Sequence, residues 1–90
     1  MAKLLWGLAV GPDAAAFLDD MQPGKQRAQI VKRYKKLQFD PHPPGSIQLV
    51  VPPGMESIYR VRQGDYRILY VVRPHEVVII EIGHRREVYR

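Results

Sequence analysis

The sequence of 90 residues predicts one small α+β domain, residues 1–90, in which an N-terminal helical hairpin packs on a small, mainly antiparallel sheet. Three observations predict this fold class. A short apolar segment lies near the start, two segments with helical periodicity follow it, and the last third of the chain alternates apolar and polar residues between turn signals. The predicted element order is therefore β-α-α-β-β-β.

The first strand is predicted over Leu4–Val10, an apolar run that ends at Gly11. The first helix is predicted over approximately Pro12–Met21, because proline suits the first turn of a helix and the carboxylate of Asp13 complements the positive N-terminal dipole. Its apolar residues recur at helical spacing: Ala14, Phe17, Leu18 and Met21. Since a secretion signal would remove the first strand, we interpret the start as part of the fold and expect a cytoplasmic protein.

A longer second helix is predicted over approximately Lys25–Phe39, after the helix-breaking sequence Gln22-Pro23-Gly24. Its buried stripe consists of Ile30, Val31, Tyr34 and Leu37. Its other face is basic and consists of Lys25, Arg27, Lys32, Arg33, Lys35 and Lys36. Such a face is usually solvated, but beside RNA it would contact phosphates.

The composition excludes several classes of site. The chain has no cysteine, which excludes disulfides and cysteine-based zinc sites and is compatible with a reducing cytoplasm. No segment approaches the roughly 20 continuous apolar residues of a membrane span. His42 and His75 lie in proline-containing turns without the spacing of metal ligands. We therefore expect no metal, no cofactor and no membrane association.

Two proline-rich breakers divide the second half of the chain. Residues 41–45 form a loop that leads from helix to sheet, and Pro52-Pro53-Gly54 follows a short predicted edge strand over Ile47–Val51. The meander of strands begins at approximately Ser57. No internal repeat or low-complexity tail interrupts this order.

The alternation of side chains along strands predicts where the arginines point. Gly64 marks the first hairpin turn, as either Gln63-Gly64 or Gly64-Asp65. Either turn places Arg60, Arg62 and Arg67 on one face. The opposite face, which we expect to contact the helices, then collects Tyr59, Val61, Tyr66, Ile68, Tyr70 and Val72.

The second turn is predicted around Pro74-His75-Glu76 with an odd number of loop residues. An odd loop places Val78, Ile80 and Ile82 on the core face and leaves Glu81 beside the arginines. An even loop would bury the carboxylate of Glu81 against Ile68, which is costly. The same alternation brings Arg85 to the arginines and His84 to the edge of their face, unless a bulge at Gly83 reverses it. Arg60, Arg62, Arg67 and Arg85 are thus expected on one concave, uncovered face.

The net charge of +5 favours a polyanionic partner, either nucleic acid or an acidic protein segment. Arginines gathered without acidic partners other than Glu81 oppose folding, so an anionic ligand explains them better. Structural alternatives remain open: Arg67 as a cross-strand partner of Glu81, and Arg60 and Arg62 as solvated arginines on the sheet surface.

The segment Tyr59–Arg90 carries two motifs, GDYRILY in its middle and HRREVY near its end. With the order strand, helical hairpin and meander, they resemble the RelE/ParE toxin superfamily, and the tail resembles RelE-like messenger-RNA interferases of type II toxin–antitoxin systems. The resemblance in architecture covers the whole chain, whereas the motifs cover only Tyr59–Arg90.

The resemblance implies a toxin that enters the ribosomal A site and cuts messenger RNA without a metal. The 2′-hydroxyl of one nucleotide attacks the adjacent phosphate and leaves a 2′,3′-cyclic phosphate. By resemblance, Arg67 binds the scissile phosphate, Arg85 acts near the leaving group and Tyr89 stacks on a base. The expected RNA-binding residues are Arg60, Arg62, Arg86, Lys32, Lys35 and Lys36.

The chain departs from the family pattern where many RelE-type enzymes carry lysines in place of Arg60 and Arg62. Arginine does not lose its proton in proteins, so neither residue serves as a general base. Histidine titrates near neutral pH, which makes His84 a candidate, although edge histidines are more often structural. Glu81 is the other candidate, and we expect the two to act as a pair.

The expected partners are an acidic, RelB-like antitoxin, the ribosome and messenger RNA. A ParE-like toxin that inhibits DNA gyrase is the alternative function, and a binding-only member with decayed catalysis is another. The set Arg67, Arg85 and Tyr89 favours the ribonuclease, because a gyrase inhibitor does not need it.

Overall fold

A computed structural model describes residues 5–86, which contain two α-helices, a 3₁₀ turn and five strands. The helices are α1 (Pro12–Asp20) and α2 (Lys25–Lys35), and the 3₁₀ turn Lys36–Gln38 extends the second. The strands are β1 (Gly7–Val10), β2 (Ile47–Gln48), β3 (Tyr59–Gln63), β4 (Tyr66–Arg73) and β5 (Glu76–His84).

The five strands form one mixed sheet in the order β1-β5-β4-β3-β2. Strand β1 runs parallel to β5, and every other neighbouring pair is antiparallel. The predicted α+β class and mainly antiparallel sheet are confirmed. The edge strand β2 is shorter than predicted and contains only Ile47 and Gln48.

Both helices pack on the same face of the sheet, α1 against β5 and α2 against β3. We call this the helix-side face. The buried core between the layers consists of Ala14, Leu18, Ile30, Tyr34, Leu37, Val61, Ile68, Tyr70, Val77, Ile79 and Ile82. The Nε of Arg27 donates a hydrogen bond to the carbonyl of Leu18 over 3.0 Å and joins the two helices. The hydroxyl of Tyr70 donates to the carbonyl of Pro41 over 2.7 Å, so the loop after α2 is tied to the core.

The start of β1 and the end of α2 differ from the sequence prediction. Strand β1 begins at Gly7, and Leu4 lies outside the described residues. Helix α2 ends at Lys35, and the chain then tightens into the 3₁₀ turn before Asp40. Because a residue that precedes proline avoids the α-helical region, Pro41 prevents α2 from continuing through Asp40.

The predicted odd loop between β4 and β5 is wrong. Arg73 pairs with Glu76, so the loop contains only Pro74 and His75, and His75 has a positive φ of 64°. The register then shifts by one residue, because Leu69 pairs with Glu81 whereas Tyr70 pairs with Ile79. This β-bulge at Ile80 changes the side-chain alternation within β5. Consequently the buried residues of β5 on the helix-side face are Val77, Ile79 and Ile82 rather than the predicted Val78, Ile80 and Ile82.

Candidate nucleic-acid interface

Three arginines lie on the face of the sheet that points away from the helices. A two-residue turn, Gly64-Asp65, joins β3 to β4 and pairs Arg62 with Arg67 and Arg60 with Leu69. Because paired residues share a face and successive residues alternate, Arg60, Arg62 and Arg67 lie together, as predicted. We call this the arginine face. The glycine is required at the turn, since Gly64 has a φ of 59°.

The arginine face is more covered than the sequence predicted. Arg62 is exposed and Arg67 is half-buried, but Arg60 is only 8% exposed. Leu69 and Val71, which alternation places on the same face, are also buried. The expectation of an uncovered face is therefore wrong for the side of the arginine face that contains Arg60 and Val71. Strand alternation predicts the face to which a side chain points, but it does not predict whether other residues cover that face. The exposed side lies toward the Gly64-Asp65 turn.

Arg67 has an unsatisfied donor at the centre of this face. Its Nε is buried and makes no hydrogen bond to any described residue. Its partner on β5 is Gly83, which contributes no side chain. A buried, unpaired guanidinium donor is costly, so the position is suited to an anion that accepts this hydrogen bond.

Glu81 lies on the arginine face beside Arg67 without contacting it. The pairing of Leu69 with Glu81 makes Glu81 a diagonal neighbour of Arg67, at a typical separation of about 7–8 Å. Glu81 is exposed, and within residues 5–86 no ion pair or hydrogen bond joins it to Arg67. The alternative interpretation of Arg67 as a cross-strand ion-pair partner of Glu81 is therefore not observed.

Arg85 lies beyond the end of β5, next to the turn between β3 and β4. Its backbone N–H donates to the carbonyl of Asp65 over 2.8 Å. Its Nε lies 3.9 Å from Oδ1 of Asp65, and both side chains are about half or more exposed, which makes the ion pair weak. Sequence reasoning did not identify Asp65 as part of this site. The signal was available, because the Gly-Asp turn and the end of β5 must meet at the same edge of the sheet.

His84 lies on the helix-side face, where it pairs with Tyr66. The two rings meet edge to face, with their centroids 5.9 Å apart. The Nδ1 of His84 accepts a hydrogen bond from the backbone N–H of Arg86 over 3.3 Å. Since Glu81 and His84 are three residues apart in one strand, they point to opposite faces. The structure thus does not assemble the predicted Glu81–His84 pair or place His84 at the arginine face.

The remaining predicted residues occupy other positions. Arg86 is exposed in the turn after β5. Tyr89 lies outside the described residues. The exposed lysines Lys32, Lys35 and Lys36 lie on α2 and the 3₁₀ turn, in the helical layer rather than on the arginine face. The described residues thus carry basic side chains on both layers, and the two sets approach each other at β3, where Lys32, Lys36 and Gln63 line one pocket.

Residues 5–86 contain neither a membrane-spanning helix nor a cluster of metal ligands. None of the helices there has the length and apolarity needed to cross a membrane. No group of three or more His, Asp or Glu side chains in that part of the chain could together hold a metal ion.

Residues 10–89, which include both helices and the described arginines, match the family model described as the ParE toxin of type II toxin–antitoxin systems, parDE. This match defines the class of protein, a toxin of a type II toxin–antitoxin system. The chain therefore belongs to this family and to the wider RelE/ParE toxin superfamily. No curated protein matches the sequence.

Solved structures of RelE complexes share the fold. The RelE–RelB complex of the archaeon Pyrococcus horikoshii matches with a TM-score of 0.74 and 22% identity, over 92% of this chain and 98% of that one. The intact RelBE complex of E. coli matches with a TM-score of 0.67 and 19% identity, over 88% and 95%. The RelB–RelE complex of Methanococcus jannaschii matches with a TM-score of 0.64 and 21% identity, over 90% and 94%. At these identities the likeness establishes a RelE-like fold.

Proposed function

We propose that this toxin is a ribosome-dependent endoribonuclease that cleaves messenger RNA through attack of a 2′-hydroxyl on the adjacent phosphate, without a metal ion. The observation that carries the proposal is Arg67. Its Nε is buried and has no hydrogen-bond partner among the described residues, on a face that it shares with the exposed Arg62. A phosphate oxygen would satisfy this donor, and a guanidinium group matches a phosphate in two-point geometry.

The reaction requires positive charge where negative charge develops. As the 2′-oxygen attacks, the phosphate becomes a five-coordinate species with more negative charge on its oxygens, and Arg67 stabilises that charge. The bond to the 5′-oxygen then breaks, that oxygen takes a proton from water, and the products are a 2′,3′-cyclic phosphate and a 5′-hydroxyl. Arg85, at the Gly64-Asp65 end of the face, stabilises the leaving oxygen. Tyr89 stacks on a base of the message, and the exposed Arg62 and Arg86 contact further phosphates. Arg60, which is covered, is not assigned a contact with RNA.

We assign the general base to Glu81 rather than to His84. Glu81 is exposed on the same face as Arg67, whereas His84 lies on the helix-side face against the ring of Tyr66. A carboxylate there accepts the proton of the 2′-hydroxyl when the message lies across the face, directly or through one water. This assignment replaces the pair of residues predicted from sequence with a single carboxylate.

The proposed partners are the ribosome, messenger RNA and an acidic, RelB-like antitoxin, and the proposed compartment is the cytoplasm. The structural relatives are themselves complexes of RelE with RelB. An acidic antitoxin segment suits a chain of net charge +5, because it neutralises the basic surfaces when it folds on them.

Inhibition of DNA gyrase is the second candidate function, and the ParE description of the matching family model favours it. One experiment separates the two. The wild type and Arg85→Ala are added to a cell-free translation system, and messenger-RNA ends are mapped by primer extension, in parallel with a gyrase supercoiling assay. We expect ribosome-dependent cuts by the wild type that Arg85→Ala reduces about a hundredfold. An intact message together with inhibited supercoiling would replace the ribonuclease with the gyrase inhibitor.

A further inference from the structure

A small polar pocket lies where α2 meets the end of β3. It has a volume of about 210 Å³ and is lined by Gln29, Lys32, Arg33, Lys36 and Gln63. A water molecule occupies about 30 Å³ in the liquid, so the pocket is several times larger than one water and admits a phosphate group. We call it the α2–β3 pocket. Four of its residues come from the helical layer, and Gln63 comes from the sheet.

The helical wall of the α2–β3 pocket carries positive charge that no side chain balances. Its four residues are three or four positions apart, so they lie on one side of the helix and of the 3₁₀ turn that extends it. The like charges of Lys32 and Lys36, at i and i+4, oppose helix formation. The pocket is lined by no carboxylate, and within residues 5–86 neither lysine nor Arg33 takes part in an ion pair. An anion in the pocket relieves this repulsion.

The guanidinium group of Arg33 is held in position by the sheet. Gln63 and Tyr66 flank the two-residue turn and form a hydrogen-bonded pair, so the carbonyl of Arg62 points to the outer edge of β3. Strand β2 pairs only with Tyr59 and Arg60 and does not reach this carbonyl. The Nε of Arg33 donates to it over 3.2 Å. The other N–H groups of the guanidinium remain available to a ligand, in an orientation that is fixed before the ligand binds.

The charges and donors of the α2–β3 pocket match a terminal phosphate better than a phosphodiester. A phosphate monoester carries about −1.5 to −2 charges at pH 7 and offers three acceptor oxygens. A phosphodiester within a strand carries only one charge and offers fewer free oxygens. Two ammonium groups and one guanidinium group neutralise the monoester more completely, and the side-chain amides of Gln29 and Gln63 supply further donors.

We propose that the α2–β3 pocket binds a terminal phosphate monoester, either that of a free nucleotide or that at the end of a nucleic-acid strand. Lys32, Arg33 and Lys36 bind the phosphate oxygens with charge-assisted hydrogen bonds. The site is distinct from that of Arg67, because it lies at the outer edge of β3 in contact with the helical layer. It goes beyond the proposed function, since the proposed cleavage leaves a cyclic phosphate and a 5′-hydroxyl and produces no phosphate monoester.

The test measures binding to the full chain by isothermal titration calorimetry at low ionic strength. The probes are thymidine 5′-monophosphate, a thymidine tetranucleotide with a 5′-phosphate, and the same tetranucleotide with a 5′-hydroxyl. These DNA probes have no 2′-hydroxyl and resist the proposed cleavage, so the result is independent of that activity. Urea denaturation of each variant confirms that it is folded.

Two matched pairs of variants separate the pocket from the general positive charge of α2. Lys36→Gln is compared with Lys35→Gln, because Lys35 is equally exposed to solvent but does not line the pocket. Gln29→Glu places a carboxylate in the pocket and is compared with Gln26→Glu, which makes the same change at an exposed position one turn earlier.

We expect the 5′-phosphorylated tetranucleotide to bind at least fivefold more tightly than the 5′-hydroxyl form. Lys36→Gln and Gln29→Glu should each raise its Kd about fivefold to tenfold, whereas Lys35→Gln and Gln26→Glu should leave it within about twofold. The same dependence for thymidine 5′-monophosphate assigns the site to free nucleotides, and its restriction to the tetranucleotide assigns the site to strand ends. Equal affinity for the two tetranucleotides, or equal loss in both members of either pair, would overturn the proposal.

Discussion

The two faces of the sheet consist of side chains from the same strands, but they differ in burial and in composition. On the helix-side face, Val61, Ile68 and Tyr70 have no exposed surface, and helices cover them. On the arginine face, Arg62 and Arg67 alternate with those core residues along β3 and β4 and keep access to a partner. Apolar burial accounts for the first face, but it does not account for the exposed guanidinium group of Arg62 on the second. The comparison separates the residues that make the fold from those available for binding.

The largest effect on stability is expected from Ile68→Ala on the helix-side face. Ile68 is fully buried, so its truncation leaves a cavity and should lower the free energy of unfolding by about 2–5 kcal/mol, measured by urea denaturation. The matched change on the other face is Arg62→Ala on the neighbouring strand, which should cost less than about 0.5 kcal/mol because Arg62 is exposed. Equal losses for the two variants would remove the distinction between the faces.

The next largest effect is expected on the cleavage rate, from replacing the proposed general base. It is tested by comparing one residue of β5 on the arginine face with one on the helix-side face. Glu81→Gln should lower the rate of messenger-RNA cleavage about a hundredfold, because the amide does not accept the 2′-hydroxyl proton. His84→Gln should leave the rate within about threefold of the wild type, since His84 lies on the helix-side face. Primer extension over a time course in cell-free translation measures both rates. The reverse ranking would assign proton transfer to His84.

A smaller effect is expected from Tyr70→Phe. The change removes the hydrogen bond to the carbonyl of Pro41 and leaves that carbonyl unpaired, at a cost of about 1–2 kcal/mol in urea denaturation. Burial raises the pKa of Tyr70, in keeping with a hydroxyl held in the core. The control is Tyr59→Phe on the neighbouring strand. The ring centroids of Tyr59 and Tyr70 lie 5.8 Å apart. If Tyr70→Phe left the free energy of unfolding unchanged, the hydrogen bond from Tyr70 to Pro41 would not stabilise the loop after α2.

The smallest effect concerns the exposed ion pair of Arg73 with Glu56, whose atoms lie 3.0 Å apart. The hydrogen bond from Arg73 lowers the pKa of Glu56 below its ordinary value of 4.5. The ion pair therefore stabilises the fold at pH values above 4.5, the ordinary pKa of Glu56. This stabilisation is lost as the pH falls through the lowered pKa that Glu56 has in the folded protein. Glu56→Gln should slightly lower the Tm at neutral pH, and the difference should disappear in acid. A difference that grows in acid would contradict this origin.

The sequence predicted β3 and β4 well because a hairpin with a glycine turn has few possible registers. The Gly64-Asp65 turn fixed which residues share a face, and the alternation of Arg60, Arg62 and Arg67 with the core residues is confirmed. The α+β class and the limits of α1 were also predictable, from helical periodicity and from Pro12 at the first turn.

Strand β5 was harder to predict because the length of the loop before it and the presence of a bulge within it have opposite effects on the side-chain alternation. A two-residue loop with a bulge at Ile80 leaves Glu81 exposed, as does the predicted odd loop without a bulge. The apolar run from Val77 to Ile80 packs on either face, so hydrophobicity does not distinguish the two registers.

The most direct test of the account is to measure cleavage and stability together for Arg67→Ala. Arg67 stands opposite Gly83 on the arginine face, and its Nε has no hydrogen-bond partner among the described residues. We expect the rate of ribosome-dependent messenger-RNA cleavage to fall about 10²–10³-fold, while the free energy of unfolding changes by less than about 1 kcal/mol. Cleavage at the wild-type rate by the folded variant would contradict the central claim that Arg67 binds the scissile phosphate.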